Sequence, residues 1–277
     1  MSATLETAYL NGKFLPIEQA SISPLDRGFL FGDAVYEVIP IHHGEPSLLD
    51  AHVQRLERNL EALRILNPHS KAQWHTLIEE LASRNGGGNL AIYIQVSRGA
   101  DSGRDHIFPQ QVSPTVFAMA NTLGDMKYSE GVKAITLPDD RWARCDIKAT
   151  ALLANVLARQ AAHETGAIDA ILICDGAVTE GAVSSVILVE NGELIRRPPG
   201  SAVLPGTTTD HVFDIGKTLG FVCREERILE SRLFAADEIW LTGATKGLAP
   251  VIQLDDQTVG DGVPGPVWKK LTAHFEI

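Results

Sequence analysis

Residues 144–166 read RCDIKATALLANVLARQAAHETG. A single lysine, Lys148, stands between an Asp-Ile pair and a run of Ala, Leu and Val that carries almost no charge. The spacing predicts a helix, with Leu152, Leu153, Val156 and Leu157 as its apolar, buried residues. An amine beside such a core loses hydration, its pKa falls, and it becomes a better nucleophile toward a carbonyl. A Schiff base with an aldehyde cofactor requires that. A lysine at a helix flank also snorkels to water, and the stretch taken alone favours this plainer role.

Outward from this helix the pattern changes on both sides. Upstream, AYLNGKFLP (8–16) carries an Asn-Gly hairpin signal, AVYEVIPI (34–41) reads as a strand, and HHGEPSLL (42–49) turns back into another. DAHVQRLERNLEALRIL (50–66) places Val53, Leu56, Leu60 and Leu63 on one helical face with Asp50 as its N-cap, and KAQWHTLIEELASR (71–84) repeats the pattern. Two amphipathic helices on a small antiparallel sheet are predicted. Strands follow at NLAIYIQVSRG (89–99) and PTVFAMAN (114–121), and NTLGDMKYSEG (121–131) has the polar, Gly-containing character of a connection. Residues 1–120 are therefore expected to form a small N-terminal domain, 121–131 the connection and 132–277 a larger domain. In the latter, strands are expected at AILICDGAVTEG (170–181), SSVILVENGELIRR (184–197), FVCREERIL (221–229) and DEIWLTGA (237–244), closed by PVWKKLTAHFEI (266–277). No internal repeat is visible.

Composition narrows the function classes. The chain has 277 residues, 44% hydrophobic and 21% charged, enough for a sizeable core. Its formal charge of −11, from 24 basic and 35 acidic residues, opposes broad attraction to nucleic acid or anionic membrane. No apolar run approaches the roughly 20 residues of a membrane helix, and MSATLETAYLNGKF lacks signal-peptide character, so a cytoplasmic protein is expected. Cys145, Cys174 and Cys223 form no CxxC pair; they are expected to be reduced, mostly buried small side chains, with no metal site.

Four features besides the helix could carry chemistry. Glu180, in VTEG, ends an apolar strand, where a carboxylate could hydrogen-bond a protonated pyridine nitrogen. LPGTTTDHVFDIGKTLG (204–220) sets Gly206, Thr207 and Thr208 at a helix start, where backbone amides and hydroxyls receive phosphate, and LTGATKG (241–247) offers a second small-residue turn. Arg55 could add a bidentate phosphate contact. In SRGADSGRDHIFP (97–109), Arg104 and His106 are two residues apart and suit a carboxylate clamp, to which Tyr36 could add a phenol. Each has a plainer alternative: a turn glutamate, an ordinary threonine cap, a solvated helix arginine, a mobile basic loop.

Together and in this order, SPLDRGFLFGDAVYEV, HVQRL, GRDHIFP, RCDIKATALLANVLARQAAHETG, VTEG, LPGTTT and TGATKGLAPVI resemble the fold-type IV pyridoxal-phosphate enzymes, most of all their D-amino-acid transaminases. The resemblance spans nearly the whole chain. It implies a two-domain α/β (α+β) fold with a small N-terminal domain, a larger C-terminal domain of mixed β-structure, and pyridoxal 5'-phosphate in the cleft between them. It implies that Lys148 is the Schiff-base lysine and Glu180 the partner of the pyridine nitrogen. Arg55, Gly206, Thr207, Thr208 and the turn Gly243, Ala244, Thr245 fall where the family holds phosphate, and Leu204 where it packs the ring. Tyr36, Arg104 and His106 fall where D-amino-acid transaminases trap the substrate carboxylate, the Arg and His coming from the neighbouring subunit of a homodimer. The implied substrates are D-amino acids and 2-oxo acids. Branched-chain L-amino-acid transamination, aminodeoxychorismate lysis and non-catalytic cofactor binding are the alternatives. Two positions depart from the family: Ala244 stands where a threonine is frequent, and Thr209 where an arginine is usual.

Overall fold

The computed structural model describes residues 3–124 and 128–275. Residues 125–127 of the expected connection lie outside the described residues. The chain forms two compact units, one of Met1–Asp125 with Ile147–Ala151, the other of Met126–Asp146 with Leu152–Ile277.

The first unit is a six-stranded antiparallel sheet of β1 (Thr4–Leu10), β2 (Lys13–Pro16), β3 (Ala34–His42), β4 (Glu45–Pro46), β5 (Leu90–Ser97) and β6 (Thr115–Thr122), in the order β2-β1-β6-β5-β3-β4. The Asn-Gly hairpin forms because Asn11 and Gly12 take φ of 48° and 91°, the positive values that a tight turn between twisted strands demands. Besides the short α1 (Arg27–Phe31), the unit holds α2 (Leu49–Ala62) and α3 (Lys71–Arg84). Leu56 and Leu60 of α2 and Trp74, Ile78 and Leu81 of α3 are buried in one cluster with Ile39 and Ile41 of β3 and Ile92 and Ile94 of β5. Each such side chain contributes about 1.5–3 kcal/mol of burial free energy. Asp50 does not cap α2: the N-cap is Leu48, and Asp50 lies in the first turn, where the helix dipole favours its charge and Lys71 Nζ lies 2.9 Å away.

The segment Ile147–Ala151 packs in this unit as an extra extended piece along β3. Tyr36 N donates to Lys148 O at 3.0 Å, Thr150 N donates to Ala34 O at 3.0 Å, and Ala149 pairs with Val35 in antiparallel register.

The second unit holds a nine-stranded mixed sheet. Its strands are β7 (Val132–Pro138), β8 (Asp169–Cys174), β9 (Ala177–Gly181), β10 (Ser185–Glu190), β11 (Glu193–Arg196), β12 (Cys223–Glu225), β13 (Glu238–Gly243), β14 (Gly247–Leu254) and β15 (Gln257–Thr258). The order is β12-β11-β10-β13-β14-β7-β8-β9, with β15 on β14. The pairs β11–β12, β14–β7 and β7–β8 are parallel. The helices are α4 (Leu153–Glu164), α5 (Thr207–Thr218), α6 (Glu230–Leu233) and α7 (Pro266–Thr272). Among the described residues no helix is long and apolar enough to cross a membrane. Cys145 is buried, Cys223 half-buried and Cys174 exposed, against the expectation for the last, and all three are free thiols.

The expected burial of the α4 leucines and valine is corrected as well. The helix after Lys148 forms, but Leu153, Val156 and Leu157 are 74%, 59% and 63% exposed. Within its unit α4 turns its small residues, Ala158 and Ala162, onto Ala170 and Leu172 of β8, and Asn155 Nδ2 donates to Ala182 O at 2.7 Å. Alanine lets helix and strand approach closely, and at 100° per residue the bulky positions then fall on the opposite face. Within its own unit Lys148 has the Tyr36 ring of β3 as its apolar neighbour.

Gly99, where β5 gives way to the loop carrying Arg104 and His106, has φ 103°, and a Cβ there would lie 2.0 Å from Ser113 O. Gly99→Ala is expected to destabilise the protein by about 2 kcal/mol or more, from left-handed backbone strain and steric clash together, as measured by urea denaturation.

Candidate active site

Two sets of the sequence-predicted residues assemble, one in each unit. In the first, Lys148 is half-buried and its Nζ lies 4.1 Å from the Tyr36 ring centroid, a cation over an aromatic face. Main-chain pairing of residues 148–150 with β3 fixes where the amine starts; the Tyr36 ring, itself 5.7 Å from that of Tyr93, fixes where it ends.

Next along β3, Glu37 is on the apolar face with Val35 and Ile39 and has no exposed surface. A carboxylate in that position must be paired. Arg55 of α2 meets it through Nε at 2.7 Å and Nη2 at 2.8 Å, a bidentate fork, and His52 Nδ1 lies 2.8 Å from Oε2. Burial pushes the Glu37 carboxyl up, but the Arg55 charge and the hydrogen bonds from Arg55 and His52 outweigh it and hold the group well below the usual carboxylate range. Burial lowers the His52 pKa; Glu37 opposes this, and the charges of Arg55 and Lys148 add to the lowering. Arg55 is thus a buried, oriented guanidinium in the same unit as Lys148.

Arg104 and His106 are exposed in the loop between β5 and β6. They share one platform: Arg104 Cζ lies 4.8 Å from the Phe31 ring centroid, and the His106 ring centroid lies 5.1 Å from it. The ring partner of this pair is Phe31, whereas those of Tyr36 are Tyr93 and Lys148.

The second unit holds the rest. Glu180 of β9 is buried; its Oε1 meets Arg141 Nη1 and its Oε2 accepts from Leu204 N at 3.1 Å. Arg141 also binds Asp139, with Nε 2.9 Å from Oδ1 and Nη2 2.8 Å from Oδ2, and Thr179 Oγ1 donates to Asp139 Oδ2 at 2.6 Å. Burial pushes the Asp139 carboxyl up, but Arg141 and Thr179 hold it below its ordinary value. Glu180 is therefore placed by a cation on one oxygen and by the Leu204 backbone on the other.

Gly206 is the N-cap of α5, with Thr207, Thr208 and Thr209 buried in its first turn. The Thr209 and Thr242 hydroxyls lie 2.7 Å apart, which ties the start of α5 to the end of β13 and brings the Gly206–Thr208 turn beside Gly243, Ala244 and Thr245. Lys246, next in that turn, binds Asp169 Oδ2 at 2.5 Å, which also accepts from Ser184 Oγ at 2.7 Å.

Sequence reasoning missed Glu37, His52, Asp139 and Arg141. Glu37 had a signal, since it breaks the period-2 apolar face of β3. Arg141 had only its place seven residues before Lys148, which no local pattern distinguishes from any loop arginine.

Comparison with known proteins bears on this arrangement. The family model for amino-transferase class IV matches residues 34–254. The chain is 35% identical over 268 residues to the D-alanine aminotransferase of Bacillus licheniformis, covering 96% of this chain and 94% of that one. It is 33% identical over 276 residues to that of Staphylococcus aureus (strain COL), covering 98% and 97%. Among solved structures, the branched-chain amino acid aminotransferase of Escherichia coli superposes with TM-score 0.89 at 24% identity, covering 98% of this chain and 93% of that one, a likeness of fold. The T.th. branched-chain amino acid aminotransferase complexed with N-(5'-phosphopyridoxyl)-L-glutamate superposes with TM-score 0.88 at 27% identity, covering 98% of this chain and 93% of that one.

Replacing Glu37 by Gln leaves the Arg55 guanidinium buried without its counter-charge, and a loss of about 3 kcal/mol at pH 7 is expected. Because the folded-state pKa of Glu37 is depressed, its contribution is present above the unfolded value of 4.5 and is lost as pH falls below it. Urea midpoints of wild type and Glu37→Gln should therefore converge between about pH 4.5 and pH 2. A gap that stays constant over this range would show that Glu37 is not ionised in the native state.

Proposed function

Since the chain belongs to the amino-transferase class IV family, we propose that it moves the amino group of a D-amino acid, of the D-alanine or D-glutamate type, to a 2-oxo acid such as 2-oxoglutarate or pyruvate. The observation that carries D-specificity is the Arg104–His106 pair held across Phe31, in the region where D-amino-acid transaminases trap the α-carboxylate. The relatives named D-alanine aminotransferase support it along nearly the full chain.

The residues fit the family's cofactor, pyridoxal 5'-phosphate, by their donor chemistry: an amine for an aldehyde carbon, a buried oriented guanidinium and a helix start for a phosphate, and a buried carboxylate for a protonated ring nitrogen. When bound, this group supplies the carbonyl that captures amines and a ring that accepts the electrons left at Cα. Lys148 would hold the aldehyde carbon of the resting cofactor, and its Nζ would serve as the base for the substrate's Cα proton. The β3 pairing and the Tyr36 ring keep that amine in place while it does so. Arg55, fixed by Glu37, would offer phosphate a guanidinium; Gly206, Thr207, Thr208 and the Gly243–Thr245 turn would offer it amides and hydroxyls, with main chain alone at Ala244. Leu204 would pack the ring. Glu180 would hold the proton on the ring nitrogen, and Arg141 supplies the cation paired with this buried carboxylate. Arg104 and His106 bind the α-carboxylate. They do so for a second copy of the chain in a homodimer, in keeping with their exposure and with a ring partner other than those of Tyr36. The enzyme works in the cytoplasm, in keeping with three free thiols.

D-alanine and D-glutamate should react much faster than their L-isomers with 2-oxoglutarate as acceptor. Arg104→Leu should lower kcat/KM for amino acids by roughly thirtyfold while cofactor content stays the same. A wild-type preference for L-leucine or L-valine would replace the D-specific activity with the branched-chain one, and pyruvate release without any acceptor would indicate lysis.

Lys148→Ala should abolish turnover, and borohydride reduction of the wild-type holoenzyme followed by peptide mapping should find the cofactor on Lys148. A label on another lysine would overturn that assignment. Glu180→Gln should bind the cofactor but slow Cα deprotonation at least about a hundredfold, because a neutral amide cannot hold the ring nitrogen's proton. Near-normal single-turnover rates would reduce Glu180 to a structural role.

A further inference from the structure

The carboxylate clamp sits in an exposed loop without regular structure, yet its two members meet on one ring. Beneath the loop lies Arg27, 3% exposed, at the start of α1. Its Nη1 donates to Asp105 O at 2.5 Å and to Ile107 O at 3.3 Å, and its Nη2 to His106 O at 3.4 Å. Three successive carbonyls thus converge on a single guanidinium, which curls the backbone around it. The same cation lies 4.9 Å from the centroid of the Phe31 ring that Arg104 and His106 share.

Arg27 is itself held from the other side. Its Nε donates to Asp33 Oδ2 at 2.9 Å, and Asp33 also takes Arg98 through Nε at 2.7 Å and Nη2 at 2.9 Å. Arg98 in turn donates to Leu63 O and Arg64 O at the end of α2, and its Cζ lies 3.6 Å from the Phe108 ring centroid. The loop is therefore tied to the helical layer at both Arg27 and Phe108. Two guanidiniums share the Asp33 carboxylate, and Asp26, buried beside Arg27, accepts from Gly28 N, Ser97 Oγ and Thr115 Oγ1.

We propose that Arg27, acting through Phe31 and the 105–107 carbonyls, is the positioning residue that preorganises Arg104 and His106 for the substrate carboxylate. This rests on the assignment of Arg104 and His106 as the clamp. Only a planar fork can reach Asp33 and three carbonyls at once, so lysine cannot replace Arg27. Preorganisation acts on carboxylate binding rather than on proton transfer at Cα, which separates Arg27 from Lys148 and Glu180.

The test uses the holoenzyme, with propionate as a non-reactive carboxylate measured by calorimetry, alongside KM and kcat for D-alanine. Arg27→Gln and Arg27→Lys should each weaken propionate binding and raise KM about tenfold, with kcat within about threefold and cofactor content unchanged. Phe31→Leu, which leaves Arg27 in place at a half-buried site, should give a loss of about fivefold in the same two quantities, and it decides the matter if the Arg27 variants do not fold. If Arg104→Leu loses propionate affinity while Phe31→Leu and the folded Arg27 variants retain it, the positioning role is overturned and the clamp stands. If Arg104→Leu also retains it, the clamp assignment fails and the positioning role fails with it. A fall in kcat at unchanged KM in the Arg27 variants also overturns the proposal.

Discussion

A carboxylate with no exposed surface, on the apolar face of a strand, has to be answered by a cation, and Glu37 imposes that demand on the first unit. Meeting it fixes the rotation of α2, since Arg55 and His52 must both face β3. The helix then packs Leu56 and Leu60 against the sheet as a consequence of the same rotation. The residue before Glu37 projects from the other face of the strand, so Tyr36 is carried toward the segment holding Lys148. One buried ion pair thus sets where a guanidinium and an amine lie in the same unit.

The second unit repeats the device with different parts. Glu180 is buried on β9 and answered by Arg141 from the loop after β7, with Asp139 behind it. Thr209, at the start of α5, makes a hydroxyl contact with Thr242 that joins two small-residue turns. The cation beside Glu180 comes from a residue 39 positions earlier in the chain.

The exposed loop of Arg104 and His106 is held the opposite way. With no core around them, these side chains rest on Phe31, and the carbonyls of the loop on Arg27, which Asp33 holds. All three lie in the stretch DRGFLFGD, between a turn and β3, a segment whose glycines and charges read locally as a loop.

The sequence alone determined most of the elements and the family, and it nominated candidates for the chemistry. Periodicity located α2, α3 and the strands, because a 3.6 or 2.0 repeat of apolar residues is a local property. The order of the motifs singled out Lys148, Glu180 and the threonines at the start of α5, because reactive side chains at strand ends and helix starts carry their neighbours' signature with them. Burial of α4 was not legible: Leu153, Val156 and Leu157 have the spacing of a core face, and only the packing of Ala158 and Ala162 on β8 shows that they point away from it. The pairings Glu37–Arg55, Glu180–Arg141 and Arg27 with the 105–107 carbonyls were likewise decided by tertiary structure, since their partners lie 18, 39 and 78 to 80 residues apart. A charged residue announces in sequence that it needs a partner when buried, but which partner answers depends on how the elements pack.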